Sequence, residues 1–276
     1  MSQTFRAACV QMRTGIDIST NVQNASALIR EAKQKGAHFV ATPEVTSLFE
    51  AETERLFSKV SDEKNDFALL QFCALADELQ IWLLIGSMPI KVAERQCANR
   101  SFLLGPNGEI KARYDKIHMF DVDLPNGEVY RESKNFRRGE RAVTAALPWG
   151  TLGLSVCYDL RFPQLYRALA KSGASFLTIP AAFTYTTGIA HWHVLQRARA
   201  IETGCYVIAP AQGGVHENKR HTFGHSLIVD PWGCVLAEAC EDPCVIIAEI
   251  DPAKVVEARG RIPALLHDRT IVAEEP

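Results

Sequence analysis

Short apolar runs alternating with amphipathic stretches constrain this chain more than any other feature. They read β-α-β-α-β-β-β, then β-β-α-β-α-β-β-β-β-α, without an internal sequence repeat. Strands interleaved with helices bury both faces of a sheet, so the pattern predicts one α/β domain with a layered core over residues 1–276. In the first half, Phe5–Met12 reads as a strand, and Asn21 caps a helix marked by Val22, Ala25, Ile29 and Ala32. A strand from His38 to Ala41 stops at Thr42-Pro43-Glu44, because proline cannot donate to a ladder. Leu69, Phe72, Ala76 and Leu79 mark a second helix, and Ile81–Gly86 a strand. Asn99–Leu104 and Ile110–Tyr114 flank Gly105-Pro-Asn-Gly108 as a hairpin. Residues 121–140 are expected as a long irregular loop.

The second half opens with a hairpin, Val143–Leu147 and Thr151–Val156, which delivers Cys157 to a bend before a helix Pro163–Lys171. A strand Phe176–Ile179 follows, then a helix His191–Thr203 with Val194, Leu195, Ala198 and Ile201 inward. Strands Cys205–Pro210, Ser226–Val229, Val235–Ala237 and Val245–Ile250 and a helix Ala253–Arg261 complete the order. The tail, residues 261–276, is apolar in part without a visible partner and is expected to pack on a second subunit.

Three strand ends carry chemistry. A thiol at Cys157, ahead of a helix N-terminus, is expected to be favoured as thiolate. Buried free cysteine is the commoner role of this residue type, so the company it keeps decides. Glu44 and Lys116 are that company, each just past a strand. Ile117, Met119 and Phe120 imply a partly buried ammonium at Lys116, which needs an anionic partner.

Composition removes several classes. A net charge of −2 and the absence of a Lys/Arg-rich block argue against a nucleic-acid partner. No 18-residue apolar span or leader-like start appears, so no membrane partner and a cytoplasmic location are expected. The eight cysteines include no CxxC pair, and Cys234, Cys240 and Cys244 are expected as core positions rather than a zinc site, so no metal is expected. GxGxxG and GxxxxGK[ST] are absent, which leaves no cofactor to expect, and Gly153-Leu-Ser155-Val-Cys157 fails the GxSxG elbow at its last position.

Thr42-Pro-Glu44, Tyr114-Asp-Lys116-Ile-His118 and Ser155-Val-Cys157-Tyr-Asp-Leu-Arg161-Phe-Pro163 together resemble the Glu-Lys-Cys triad of the nitrilase superfamily, the carbon–nitrogen hydrolases. Glu132, in Arg131-Glu-Ser133, aligns with the second glutamate many members carry. The resemblance implies a four-layer α-β-β-α sandwich, a homodimer or larger homo-oligomer, and a small-molecule amide substrate. Ala190-His-Trp-His-Val-Leu-Gln-Arg-Ala-Arg-Ala-Ile-Glu202 and Gly224–Gly233 are most similar to the deaminated-glutathione-amidase branch, while Lys116–Asp123 is equally similar to omega-amidases.

By that resemblance Cys157 attacks an amide carbonyl, Glu44 serves as base and then acid, and Lys116 with the Tyr158 N–H stabilises the oxyanion. Glu132 holds Lys116 or the substrate. Arg161 is expected to receive a substrate carboxylate, or else to pair with Asp159, and Phe183, Thr184 and Tyr185 to line the pocket. An omega-amidase acting on 2-oxoglutaramate and an N-carbamoyl amidohydrolase are the alternative enzymes. A catalytically silent binding protein, a redox-sensing thiol and a Cys-His arrangement using His191, His193 or His225 are the competing classes. For those histidines hydrogen bonding at helix or strand ends is the expected role.

Overall fold

The computed structural model describes residues 3–125 and 127–270. The first half runs β1 (Phe5–Gln11), α1 (Ile18–Gln34), β2 (Phe39–Ala41), α2 (Thr53–Lys59), α3 (Phe67–Leu79), β3 (Trp82–Ala93), β4 (Gln96–Leu104) and β5 (Ile110–Asp115). Next come β6 (Asp121–Asp123), β7 (Val129–Arg131), β8 (Phe136–Arg137), β9 (Val143–Leu147), β10 (Gly150–Leu154), α4 (Pro163–Lys171), β11 (Ala174–Thr178) and α5 (Tyr185–Thr203). The chain ends β12 (Tyr206–Ala209), β13 (Gly213–Val215), β14 (His221–Phe223), β15 (Leu227–Val229), β16 (Val235–Glu238), β17 (Cys244–Ile250) and α6 (Ala253–Arg261).

Two sheets result. One runs β17-β1-β2-β3-β4-β5 with β8 beside β4, the other β16-β15-β12-β11-β10-β9. Successive strand residues point to opposite faces, and the sequence uses both. On β1, Ala7 and Cys9 join a core shared with Leu152 and Leu154 of the other sheet, while Ala8 and Val10 pack with Val22 and Ile29 of α1 and Phe72 of α3. Helices therefore cover the outside of each sheet, giving the expected α-β-β-α sandwich. Gly153, on β10, has no side chain where α4 presses in: a Cβ there would lie 3.1 Å from Leu169 Cβ.

Several expectations are corrected. Asp17, not Asn21, caps α1, its carboxylate accepting from Thr20 N at 2.8 Å. Asn21 is buried inside the helix, where its amide bonds Gly15 N (2.8 Å), Gly15 O (3.0 Å) and Ser47 O (3.0 Å), pinning the segment after Glu44. Residues 121–140 are not irregular: they hold the β6–β7 hairpin, a 3-10 turn Glu132–Lys134 and β8. Helix α5 starts six residues earlier than expected. Its inward face carries Trp192, Gln196, Arg199 and Thr203, while Val194 and Ile201 are exposed at 68% and 55%. The cause is polar packing, because Arg199 donates through Nε and Nη2 to Leu160 O at 3.0 and 2.7 Å.

Cys234 and Cys240 are exposed and Cys244 is half-buried, not core, since they flank the edge strand β16 and open β17. Of the tail, residues 261–270 are described and 271–276 lie outside the described residues. Its described part folds back on α4, where Arg167 donates to Ala264 O at 2.9 Å and Arg167 and Lys171 pair with Asp268. No helix among the described residues is long and apolar enough to cross a membrane.

Candidate active site

Glu44 follows β2 of one sheet and Cys157 follows β10 of the other, so the two sheets bring them together across the sandwich. The approach is close. A Cβ at Gly86 on β3 would sit 2.1 Å from Thr42 O and 2.5 Å from Pro180 Cβ, so only glycine lets the Thr42–Glu44 turn pass here.

Cys157 sits at φ 50°, a left-handed conformation uncommon for a side-chain-bearing residue. What holds it there is a set of bonds around the turn. Its N–H donates to Pro180 O at 2.9 Å. Two residues on, the buried Asp159 carboxylate accepts from Val156 N (2.9 Å), Tyr114 OH (2.6 Å), His118 N (3.0 Å) and the His118 ring (Nδ1, 2.7 Å). Tyr114 and His118 bracket Lys116, so one carboxylate locks the nucleophile's turn to the strand end carrying the lysine. Arg161 therefore has no share in Asp159.

Lys116 is 2% exposed. Its Nζ donates to Glu44 Oε1 at 2.9 Å and to Glu132 Oε1 and Oε2 at 3.1 and 2.8 Å. Glu44 Oε2 accepts from Ala182 N at 2.8 Å, and Glu132 Oε2 from Phe120 N at 2.7 Å. Asn99, which the sequence did not single out, donates its amide to both Glu44 Oε1 (2.9 Å) and Glu132 Oε1 (3.0 Å). One cation thus serves two carboxylates, and the cluster carries one net negative charge.

Protonation follows from this packing. Burial opposes ionisation of Glu44, but Lys116 and hydrogen bonds from the Cys157 thiol and Ala182 outweigh it and hold the carboxyl below its ordinary range. Burial also opposes the charge on Lys116, and Glu132 and Glu44 more than restore it. Burial, then the charge of Glu44, pushes the Cys157 thiol well above its ordinary range against the pull of Lys116. The expected resting thiolate is therefore corrected. The cysteine opens a five-residue 3-10 turn, Cys157–Arg161, ahead of α4, and burial beside the Glu44 carboxylate favours its thiol form.

The site opens into a cavity of about 280 Å³. Tyr158, Phe183 and Thr184 line it with Glu44, Lys116, Glu132 and Cys157; Tyr185 and Arg161 are not among its lining. Arg161 lies against the Phe183 and Tyr158 rings (5.3 and 6.0 Å) and His191 Nδ1 (3.3 Å). Arg220, which sequence reasoning missed, does line the cavity, its guanidinium 4.7 Å from the Tyr130 ring and 5.3 Å from that of Phe49. His193 and His225 bond Glu238, and none of the three histidines considered for a Cys-His pair is bonded to Cys157.

A family model described as Carbon-nitrogen hydrolase matches residues 6–260. A "Deaminated glutathione amidase" of Synechocystis sp. is 43% identical over 267 residues, covering 95% of this chain and 97% of its own. The "Omega-amidase NIT2" of Mus musculus is 34% identical over 283 residues, 99% of each chain. Among solved structures, the Caenorhabditis elegans NitFhit protein superposes with a TM-score of 0.90 at 34% identity, over 97% of this chain and 66% of that one.

Proposed function

Because the chain belongs to the carbon–nitrogen hydrolase family, and is a hydrolase of non-peptide carbon–nitrogen bonds, we propose that Cys157, Glu44 and Lys116 cleave the amide of a small carboxylate-bearing substrate through a thioester. The observation that carries this is that Cys157, Glu44 and Lys116 line one cavity, with the Lys116 ammonium 2.9 Å from Glu44 Oε1. Glu44 takes the Sγ proton as sulfur attacks the carbonyl carbon, so the thiolate exists only as it reacts. Lys116 and the Tyr158 N–H stabilise the oxyanion. As the tetrahedral adduct collapses, the C–N bond breaks and Glu44 returns the proton to the departing nitrogen. Water, deprotonated by Glu44, then cleaves the thioester and frees the acid and the thiol. Glu132 and Asn99 keep Lys116 aimed, Glu132 through both its oxygens.

A carboxylate-bearing substrate entering a cluster of net negative charge needs a cation of its own. Arg220 supplies it from the cavity wall, held between two aromatic faces rather than by a carboxylate among the described residues. This role passes to Arg220 from Arg161. Deaminated glutathione is the leading substrate; 2-oxoglutaramate and N-carbamoyl amino acids are the alternatives. Mass analysis of products from all three is expected to give fastest hydrolysis of deaminated glutathione. Hydrogen bonds to charged groups are worth about 1.5–3 kcal/mol, so Arg220→Met should raise KM for that substrate about 10- to 100-fold and leave a neutral amide unaffected. Selective loss in Arg161→Ala with Arg220→Met unaffected would return the role to Arg161.

The same reading makes the protein a single-domain homodimer of a reducing, cytoplasmic compartment. Its cysteines are all free, and Ile189, Val194 and Trp232 stand exposed at 63%, 68% and 56%. A monomer by light scattering at micromolar concentration would overturn the dimer.

A further inference from the structure

We propose that His193, His225 and Glu238 form a surface site for a divalent transition-metal ion, zinc in the first instance, separate from the amidase centre. The three residues come from different elements: α5, the connection after β14, and the end of β16. One ring nitrogen of each histidine and a Glu238 carboxylate oxygen lie within 4.8 Å of one another. Both imidazoles already meet at Glu238 Oε1, each at 2.8 Å.

Two imidazole nitrogens and one carboxylate oxygen are the donor set zinc accepts, and hard ions such as magnesium do not favour it. Zinc–ligand bonds of about 2.0–2.2 Å at tetrahedral angles set ligand atoms about 3.4 Å apart. The two His–Glu238 pairs, at 2.8 Å, therefore need to open by about half an ångström, and no pair of donor atoms, all within 4.8 Å, needs to close by more than about 1.4 Å, with the ring protons moving to the far nitrogens or to water. The side chains are 35%, 31% and 36% exposed, which gives an ion a way in and leaves a coordination position for water.

The donors are also presented rigidly. His225 holds φ 55°, with its N–H bonded to Cys240 O at 2.9 Å and its carbonyl accepting from Trp192 Nε1 at 2.8 Å. Its ring stacks on Phe223 at 4.4 Å, and the His193 ring meets the edge of Phe223 at 5.9 Å. An ion here would tie α5 to the segment continuing from β14, whose His221 and Thr222 line the active-site cavity. No ligand spacing announces it in one dimension, because the donors lie 32 and 13 positions apart.

The test is zinc uptake by chelator-stripped protein, in competition with a chromophoric chelator, for wild type, His193→Gln and Glu238→Gln. Wild type is expected to hold one more equivalent per chain than either variant, or to hold it at least about tenfold more tightly. Cobalt(II) should give the intense visible bands of a four-coordinate ion in wild type, with those bands lost or diminished in both variants. Circular dichroism checks that each variant is folded, and His225→Asn, which tolerates the left-handed backbone, provides a third loss. Equal zinc stoichiometry and affinity in wild type and folded variants overturns the proposal, whatever the amidase activity does.

Discussion

Cys157→Ala should reduce amide hydrolysis by roughly four orders of magnitude or more, because it removes the only atom that becomes covalently bonded to the substrate. The protein should fold as before. The sulfur lies at a cavity wall with 7% of the residue exposed, and alanine meets the left-handed backbone at φ 50° no worse than cysteine does. The bonds that set the turn belong to the backbone and to Asp159, not to the thiol. Activity loss with an unchanged thermal midpoint is the expected pair of results. Rapid quenching of the wild type with substrate should add the acyl mass to the peptide containing Cys157, and the variant should show no such adduct. Retained turnover in the variant would end the thioester mechanism, and an acyl mass on another residue would move the nucleophile.

What could be read from the sequence was whatever depends on local chain punctuation. Pro43 ends a strand and so presents Glu44; Pro163 starts a helix and so places Cys157 just before it; alternating apolar runs announce the sandwich. The convergence of Glu44, Lys116 and Cys157 was legible only because three short motifs matched one family together. Other features depend on contacts between segments far apart in the chain. Asn99 reads as one polar position in a strand until Glu44 and Glu132 arrive on either side of its amide. Arg220 is unremarkable in its segment and acquires a role only when Tyr130 and Phe49 close on it. The face of α5 was misread because burial was equated with apolarity, whereas Arg199 is buried by capping the carbonyl of Leu160, in the turn after the nucleophile. The thiolate expectation failed for a related reason. A helix end was weighed, but burial and a neighbouring carboxylate, invisible in one dimension, were stronger.

Lys116→Met should be the most damaging single change to stability in the site, and its cost should depend on pH. Methionine nearly preserves the volume, so packing is not the issue. Without the ammonium, the buried Glu44 and the partly buried Glu132 stay bonded to the Asn99 amide, two carboxylates with no cation between them. Removing one partner of a buried ion pair typically costs about 3–5 kcal/mol. The sign with pH follows from Glu44. In the wild type its folded pKa lies below the ordinary 4.5, since Lys116 and the hydrogen bonds outweigh burial. Its stabilising contribution is present above that ordinary value and lost as pH falls through the folded one. In the variant burial and Glu132 are opposed only by the hydrogen bonds that Glu44 keeps, chiefly from Ala182 and Asn99, so the folded pKa moves above the ordinary value. The penalty is then absent where the carboxyl is protonated in both states and grows as pH rises toward the new pKa. Urea midpoints measured at about pH 4 and about pH 7 should therefore lie close together for the two proteins at the lower pH and far apart at the higher. Adding Glu44→Gln to the variant should recover part of the loss at the higher pH, because it removes one of the opposed charges. Activity should fall by about 100- to 1000-fold or more from the missing oxyanion donor, and the double variant should not restore it. A stability gap that is the same at both pH values would mean that Lys116 is not what keeps Glu44 ionised, and the electrostatic account of the triad would fall with it.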